Sequence, residues 1–315
     1  MNESSFPLPG VVPGTLATWL RRLQLLAKRA VEGGAGGRFA SLFRGAGISF
    51  EELREYQPGD DIRAIEWKAT ARLGTPFVKR FIEERELSVV IALDKSGSMA
   101  YGSQTRSKWH TAVETAALLA LLAAHNRDRV GLALFDSDLR PFLPPRRGLQ
   151  QAWREVAVML LQRPQHEPTS LAQACRALAK LLRRRTLIFV ISDFLDRDYV
   201  HDLQRLAQRH DLIAVRVWDD AEACLPERGY FLLQDAETGQ RLWCDAYDSH
   251  LREIWSATGG HFAEMLAAMA RAADADLWDI STSEDILSRL QYWLRQRQLR
   301  VQRRVTIPQA TSLVH

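Results

Sequence analysis

The chain has 315 residues, enough for one large domain or two modest ones. Apolar residues make up 46% of it and charged residues 25%, an ordinary globular composition that excludes a largely disordered, collagen-like or coiled-coil protein. The formal net charge of +4 is too small to indicate nucleic-acid binding by itself.

The cysteine and hydropathy patterns predict a cytoplasmic protein. Three widely spaced cysteines form no CxxC pair, so we expect reduced thiols rather than a disulfide framework or a zinc knuckle. The N-terminus lacks the basic and apolar segments of a signal peptide. The longest apolar stretch, residues 115–124, is about half of what crosses a bilayer, so no membrane span is expected.

The first part of the chain predicts a loose arm followed by a helix. Residues 1–15 are rich in Pro and Gly, whereas residues 18–31 carry apolar side chains at helical spacing with basic side chains opposite. The glycines at 33–37 are expected to end this helix. Its apolar stripe fits docking on the chain's own domain, and its basic face also fits a membrane surface, so both alternatives stay open.

From residue 87 onward, predicted strands alternate with predicted helices. Continuous apolar runs of strand length indicate strands that are buried on both faces. The predicted strands are residues 87–93, 130–135, 139–143, 187–192, 212–218 and 277–281. The predicted helices are residues 108–125, 149–161, 170–182, 197–209, 249–273 (with a break at Gly259-Gly260) and 283–300. A hairpin insertion is expected at about 226–246.

This alternation predicts an α/β fold: a doubly wound, mostly parallel sheet of Rossmann type, flanked by helices, with a smaller N-terminal region. The expected parts are an arm and amphipathic helix at 1–35, an N-terminal region at 36–86 packed on the sheet domain, the sheet domain itself at 87–300 and a basic tail at 301–315.

Oxygen-bearing side chains follow the predicted central strands, where open α/β sheets bind their ligands. Asp94, Ser96 and Ser98 alternate in the loop after the first of these strands, so their side chains can converge on one side. Asp193 follows a later buried strand, and Thr169 precedes a helix. Taken singly, these residues are also typical of helix caps. Together, an oxygen set without His or Cys predicts a site for a hard cation, Mg²⁺ first and Mn²⁺ or Ca²⁺ next.

A charged and aromatic string occupies residues 54–67. Seven side chains in it are candidates for a special role: Arg54, Tyr56, Gly59, Asp60, Arg63, Ile65 and Trp67. A glycine after proline predicts a tight turn in which Asp60 bonds the backbone, and the aromatic and aliphatic members are expected to be buried anchors. We interpret the string as a structural lock between the N-terminal region and the sheet domain, with a partner or nucleotide surface as the alternative.

These motifs carry a resemblance to known proteins. Asp94-x-Ser96-x-Ser98, with the later Thr169 and Asp193, resembles the metal-ion-dependent adhesion site (MIDAS) of the von Willebrand factor type A (vWA) fold. The chain also resembles the bacterial domain-of-unknown-function family 58 (DUF58) over roughly residues 36–300. The residues that carry this likeness are Tyr56-x-x-Gly59-Asp60-x-x-Arg63-x-Ile65-x-Trp67, Ala71-Arg72, Asp94-x-Ser96-x-Ser98-Met99 and Ile191-Ser192-Asp193-Phe194.

Two positions qualify the resemblance. The family often has Asp or Asn after the metal-site threonine, whereas this chain has Ser170 after Thr169, which keeps the threonine ligand but not its neighbour. Lys95 lies inside the metal motif, and its positive charge would weaken binding of a divalent cation unless the side chain points away.

The resemblance implies a non-enzymatic protein-interaction module that binds a divalent cation and grips an acidic residue of a partner. It further implies that this partner is a MoxR-type AAA+ ATPase and that the role is chaperone-like or in assembly. A Mg²⁺-dependent phosphoryl hydrolase is the alternative, but Ser96 stands where such enzymes generally have a second carboxylate. Nucleic-acid binding rests only on residues 286–315, which hold six Arg and no acidic residue and are more simply interpreted as a solvated helix face with a tail.

Overall fold

The computed structural model describes residues 13–44, 52–58, 60, 62, 65–80, 86–164, 169–235 and 239–306. The described residues form ten strands and ten α-helices. The strands are β1 Glu52–Glu55, β2 Phe77–Arg80, β3 Ser88–Asp94, β4 Arg129–Phe135, β5 Leu139–Arg146, β6 Leu187–Ser192, β7 Asp211–Trp218, β8 Tyr230–Gln234, β9 Arg241–Asp245 and β10 Asp276–Ser281. The helices are α1 Pro13–Glu32, α2 Ala35–Arg44, α3 Trp67–Leu73, α4 Lys108–His125, α5 Leu149–Leu161, α6 Leu171–Leu181, α7 Val200–Arg209, α8 Asp220–Ala223, α9 Ser249–Ala272 and α10 Ile286–Thr306.

Six strands form the central sheet in the order β10-β7-β6-β3-β4-β5. Five of them run parallel, and β5 pairs antiparallel with β4 at one edge. Strand β3 starts the sheet, β4 and β5 extend it to one side, and β6, β7 and β10 extend it to the other. The predicted α/β class with a mostly parallel sheet is therefore confirmed.

Helices cover both faces of this sheet because its strands are apolar on both sides. One face packs alternate residues of β3, such as Val89 and Ile91, against α1, α2, α4, α5 and α10. The other face packs Val90 and Ala92 against α6, α7 and α9. Helix α4 is buried along nearly its whole length, in keeping with its unbroken run of Ala and Leu.

The amphipathic N-terminal helix docks on the chain's own core, the first of the two alternatives. Leu23 and Ala30 of α1 are fully buried in the core that covers the sheet. Gly34, with a φ of 73°, turns the chain from α1 into α2, so the glycine segment ends the first helix as predicted. The later glycines of that segment lie inside α2, whose Phe39 is also buried.

The basic C-terminal segment differs in part from the predicted solvated face, since Arg295 and Arg300 are exposed but Arg297 is not. Helix α10 continues to Thr306, so the predicted tail begins inside a helix, and residues 307–315 lie outside the described residues. Arg297 is buried: its Nε lies 3.0 Å from Asp276 Oδ2, and its guanidinium lies 4.2 Å from the ring centre of Phe43. This cation joins two sheet strands to α2, because Arg297 also pairs with Asp211 of β7.

The 54–67 string belongs to a small antiparallel sheet of β1 and β2, which Ile65 extends by a bridge to Val78. Asp60 makes the predicted backbone contact, accepting a hydrogen bond from Gln57 N at 2.9 Å. Trp67, expected to be a buried anchor, is instead 67% exposed because it lies at the start of α3 on the solvent side. Tyr56 and Ile65 are half-buried.

The remaining expectations for this string stay predictions. Gly59 and Arg63 lie outside the described residues, as does the side chain of Arg54. Within the described part of residues 52–80, no apolar side chain joins either of the two cores on the large sheet. The lock interpretation therefore gains no support from apolar packing there.

The predicted hairpin is present, since β8 pairs antiparallel with β9. The predicted break in the following helix is wrong, because α9 is continuous through Gly259 and Gly260. A Cβ on Gly259 would lie 3.2 Å from Ala223 Cα and 3.3 Å from Glu222 O. This glycine thus serves the close packing of α8 on α9 rather than ending a helix. Among the described residues, no helix combines the length and apolar character required to cross a bilayer.

Candidate metal-binding site at the ends of the central strands

The predicted oxygen cluster lies where the strand order reverses. Strand β3 has β4 on one side and β6 on the other, so the sheet grows in opposite directions from β3. Ligands of open α/β sheets bind outside the carboxyl ends of the strands at such a point. Asp94 ends β3, and Asp193 follows the last residue of β6.

Asp94 is completely buried. Its Oδ1 accepts a hydrogen bond from Ser96 N at 2.9 Å, and its Oδ2 accepts one from the Ser192 hydroxyl at 2.7 Å. Burial, followed by the negative charge of Asp193, raises the pKa of Asp94 to about 7. Both hydrogen-bond donors are neutral, so they orient this carboxylate without balancing its charge.

The two serines of the motif converge beside Asp94. Ser96 precedes a single 3₁₀ turn at Gly97–Ala100, and Met99 N donates to Ser96 O within that turn. This turn brings Ser96 Oγ to 3.2 Å from Ser98 Oγ. The Ser98 side chain lies close enough to Asp193 to help lower the pKa of that carboxyl group. The structure therefore brings Asp94, Ser96, Ser98 and Asp193 into one connected group.

Asp193 is held by a buried lysine that was not among the residues predicted for the site. Lys108, the first residue of α4, places its Nζ 2.7 Å from Asp193 Oδ2 and 2.5 Å from Glu222 Oε1. Burial alone would raise the pKa of Asp193, but the Lys108 ammonium, together with Ser98 and the Leu195 N–H, outweighs it, so this pKa falls below its ordinary value. In return, the two carboxylates outweigh burial and raise the pKa of Lys108.

The other two positions in question lie on the β4 side. Lys95 donates to Asp136, just past the end of β4, so its charge is turned toward a carboxylate outside the oxygen cluster. Thr169 lies next to Ser170, whose N–H donates to Asp136 O at 2.9 Å. This bond fixes the Thr169 loop beside the end of β4, and a role for Thr169 as a ligand stays a prediction.

The donor set fits a hard divalent cation. Within the described residues, no group of three or more His, Cys, Asp or Glu side chains is placed to hold a metal ion. The oxygens that converge here are those of Asp94 and of the two serine hydroxyls beside it. An octahedral Mg²⁺ with ligands at roughly 2.1 Å places neighbouring ligand oxygens about 3.0 Å apart. The Ser96–Ser98 separation of 3.2 Å is close to this spacing.

The chain has relatives along most of its length. A family model described as "Protein of unknown function DUF58" matches residues 52–262. Uncharacterized protein Mb1516 of Mycobacterium bovis is 33% identical over 302 residues, covering 91% of this chain and 94% of its own length.

Two solved structures are similar at lower levels. Conserved hypothetical protein BatB from Bacteroides thetaiotaomicron is 16% identical, covers 69% of this chain and 99% of its own, and has a TM-score of 0.44. The SpRpn10 VWA domain is 13% identical, covers 66% and 94%, and has a TM-score of 0.37. Because the family model spans more than half of the chain and the mycobacterial relative nearly all of it, this chain belongs to the DUF58 family.

Proposed function

We propose that the chain is a non-enzymatic protein-interaction module whose oxygen cluster binds Mg²⁺, with Mn²⁺ or Ca²⁺ as alternatives. The observation that carries this proposal is the pair of serine hydroxyls 3.2 Å apart beside the buried carboxylate of Asp94. Asp94, Ser96 and Ser98 would hold the ion, with Thr169 from the loop beside β4. Asp193, beside Ser98, would contribute directly or through water.

The charge at the cluster favours an acidic partner. Lys108 already balances Asp193, so Asp94 is the one ligand whose negative charge faces the ion undiminished. A divalent cation held in this way keeps net positive character toward its open coordination positions. A bound Mg²⁺ supplies an electrophilic centre at which a carboxylate can replace water, since it completes its shell with oxygens from solvent or from a second molecule.

The surroundings of the cluster suit a protein ligand. Tyr101, just after the metal motif, and Leu195, just after Asp193, are both large and exposed. Apolar side chains around a polar centre exclude water from a contact and add affinity that the ion alone would not give. The resemblance to DUF58 adds the finer proposal that the partner is a MoxR-type AAA+ ATPase and that the role is chaperone-like or in assembly.

The test is binding of this chain to the MoxR-type ATPase from the same organism, measured by interferometry with Mg²⁺ or with EDTA. We expect EDTA, Asp94→Ala and Ser98→Ala each to weaken the complex at least tenfold, because each removes the same coordinated contact. Combining Asp94→Ala with EDTA should add little further loss. Glu264→Ala, which removes an exposed carboxylate from α9, is the control and should bind like the wild type.

Circular dichroism should show that all variants are folded. Full-strength binding of Asp94→Ala in EDTA would refute the cation-dependent interface.

A further inference from the structure

Lys108 occupies an unusual place for a lysine. Its side chain is 1% exposed, and it lies at the N-terminus of α4, where the helix dipole disfavours a positive charge. Lysine is almost never buried unless it is paired, and burial also costs its side-chain freedom. The contacts to Asp193 at 2.7 Å and to Glu222 at 2.5 Å offset these costs.

The elements around Glu222 hold it on the lysine. Glu222 lies in the single turn of α8, where Asp219 N donates to its Oε2 at 3.0 Å while its Oε1 faces Lys108. Asp219 accepts in turn from Ser103 N at 3.1 Å, which ties α8 to the loop that follows the metal motif. On another side of α8, the backbone of Glu222 and Ala223 packs closely against Gly259 of α9.

We propose that the buried ammonium of Lys108 acts as a built-in positive charge, here called the counter-cation, that lowers the affinity of the oxygen cluster for divalent ions. Glu222 moderates this effect. The ammonium neutralises Asp193 and keeps this carboxylate from serving as a second charged ligand. Glu222 shares the ammonium and thereby limits how strongly Lys108 opposes an incoming ion. This inference rests on the proposed cation site, and it deepens that proposal by naming the residues that tune it.

The charges give the two residues opposite effects. Removing the lysine leaves Asp94 and Asp193 both negative toward the ion, so affinity for a divalent cation must rise. Removing the charge of Glu222 leaves Asp193 as the one carboxylate that pairs with the Lys108 ammonium, which then opposes an incoming ion more strongly. The affinity for a divalent cation must therefore fall. A purely structural role for the pair would instead lower affinity in both variants, because each would disorder the site.

Calorimetric titration with Mg²⁺ and Mn²⁺ tests the proposal on the full chain. We expect Lys108→Met to bind at least tenfold more tightly than the wild type and Glu222→Gln at least threefold more weakly. Lys180→Met is the matched control. Lys180 is an exposed lysine in the last turn of α6, near the start of β6 and thus at the end of the sheet opposite to the oxygen cluster. Glu222 is partly exposed, so Glu222→Gln should fold even if Lys108→Met does not.

The outcomes separate the two proposals. Suppose that the wild type binds the ion. If Lys108→Met then binds it equally or more weakly, or if Glu222→Gln binds it more tightly, the counter-cation proposal is wrong and the proposed function stands. Binding by Lys108→Met but not by the wild type supports the counter-cation and overturns the cation-dependent interface. Absence of binding in the wild type and in every variant overturns both.

Discussion

Glu155 on α5 is a buried carboxyl group outside the candidate site. It is fully buried, its Oε1 accepts a hydrogen bond from Gln151 Nε2 at 3.0 Å, and its Oε2 meets no hydrogen-bond partner among the described residues. Burial raises the pKa of Glu155 from 4.5 to about 7. Between these values the folded state holds a proton that the unfolded state releases, so this group lowers stability as the pH rises through that window.

Glu155→Gln should therefore be more stable than the wild type at high pH. The amide keeps the shape of the protonated acid but carries no charge to bury. The free energy of unfolding at pH 8 should therefore rise by on the order of 3 kcal/mol. At pH 4.5 the two proteins should differ little. Urea unfolding of both at the two pH values measures this difference. A gain that is the same at both pH values would contradict the titration of Glu155, and Glu264→Gln on the surface serves as the control.

Single residues show how far the sequence could predict the site. The convergence of Asp94, Ser96, Ser98 and Asp193 could be predicted because they follow continuous apolar strands, and such strands must end together at one edge of a parallel sheet. Their role as ligands stays a prediction. Lys108 could not be predicted, because it is separated from Asp193 by 85 positions and looks like a solvated residue at a helix start. The one available signal was a cation at a helix N-terminus, which is unfavourable unless something holds it.

At the scale of elements, prediction worked best where side chains are buried on all sides. Helix α4 and strand β6 begin and end at the predicted residues, since their apolar runs mark segments that are buried along nearly their whole length. The two short strands β1 and β2 were not predicted, because four charged or mixed residues carry no periodic signal. The glycine pair in α9 misled the prediction because a sequence does not show whether a glycine ends a helix or admits a neighbour.

This glycine pair offers a matched experiment on one element. A Cβ added at Gly260 would meet no neighbouring element within 4 Å among the described residues, so Gly260→Ala should stabilise the chain by about 0.5–1 kcal/mol through helix propensity alone. Gly259→Ala adds the same propensity but presses on Ala223 and on the Glu222 backbone, so it should gain less or destabilise. Urea unfolding of both variants measures the contrast. Equal stabilisation of the two variants would show that α8 shifts to accommodate the added methyl group at no cost in free energy.

At the scale of the whole molecule, helices from both ends of the chain share one core with the sheet. The ring centroids of Phe39 and Phe43, both in α2, lie 4.7 Å apart. The ring of Phe39 lies 6.2 Å from that of Phe189 in the central strand β6, and the ring of Phe43 lies 6.3 Å from that of Trp293 in α10, again between centroids. The predicted division into parts at residue 86 follows a change in the charge pattern. The core does not follow that division, because α1 and α2 supply side chains to the same cluster as β3 and α4.

A shared core predicts one cooperative unfolding transition for these helices and the sheet. Phe39→Ala removes a fully buried ring between α2 and β6 and should cost about 3–5 kcal/mol. The loss should appear equally in far-ultraviolet circular dichroism and in tryptophan fluorescence, since helices and sheet unfold together. Leu25→Ala on the exposed side of α1 should stay within about 0.5 kcal/mol of the wild type. If Phe39→Ala instead produced an early helical transition that left the fluorescence transition in place, the N-terminal helices would be an independent unit docked on a sheet domain that is stable without them.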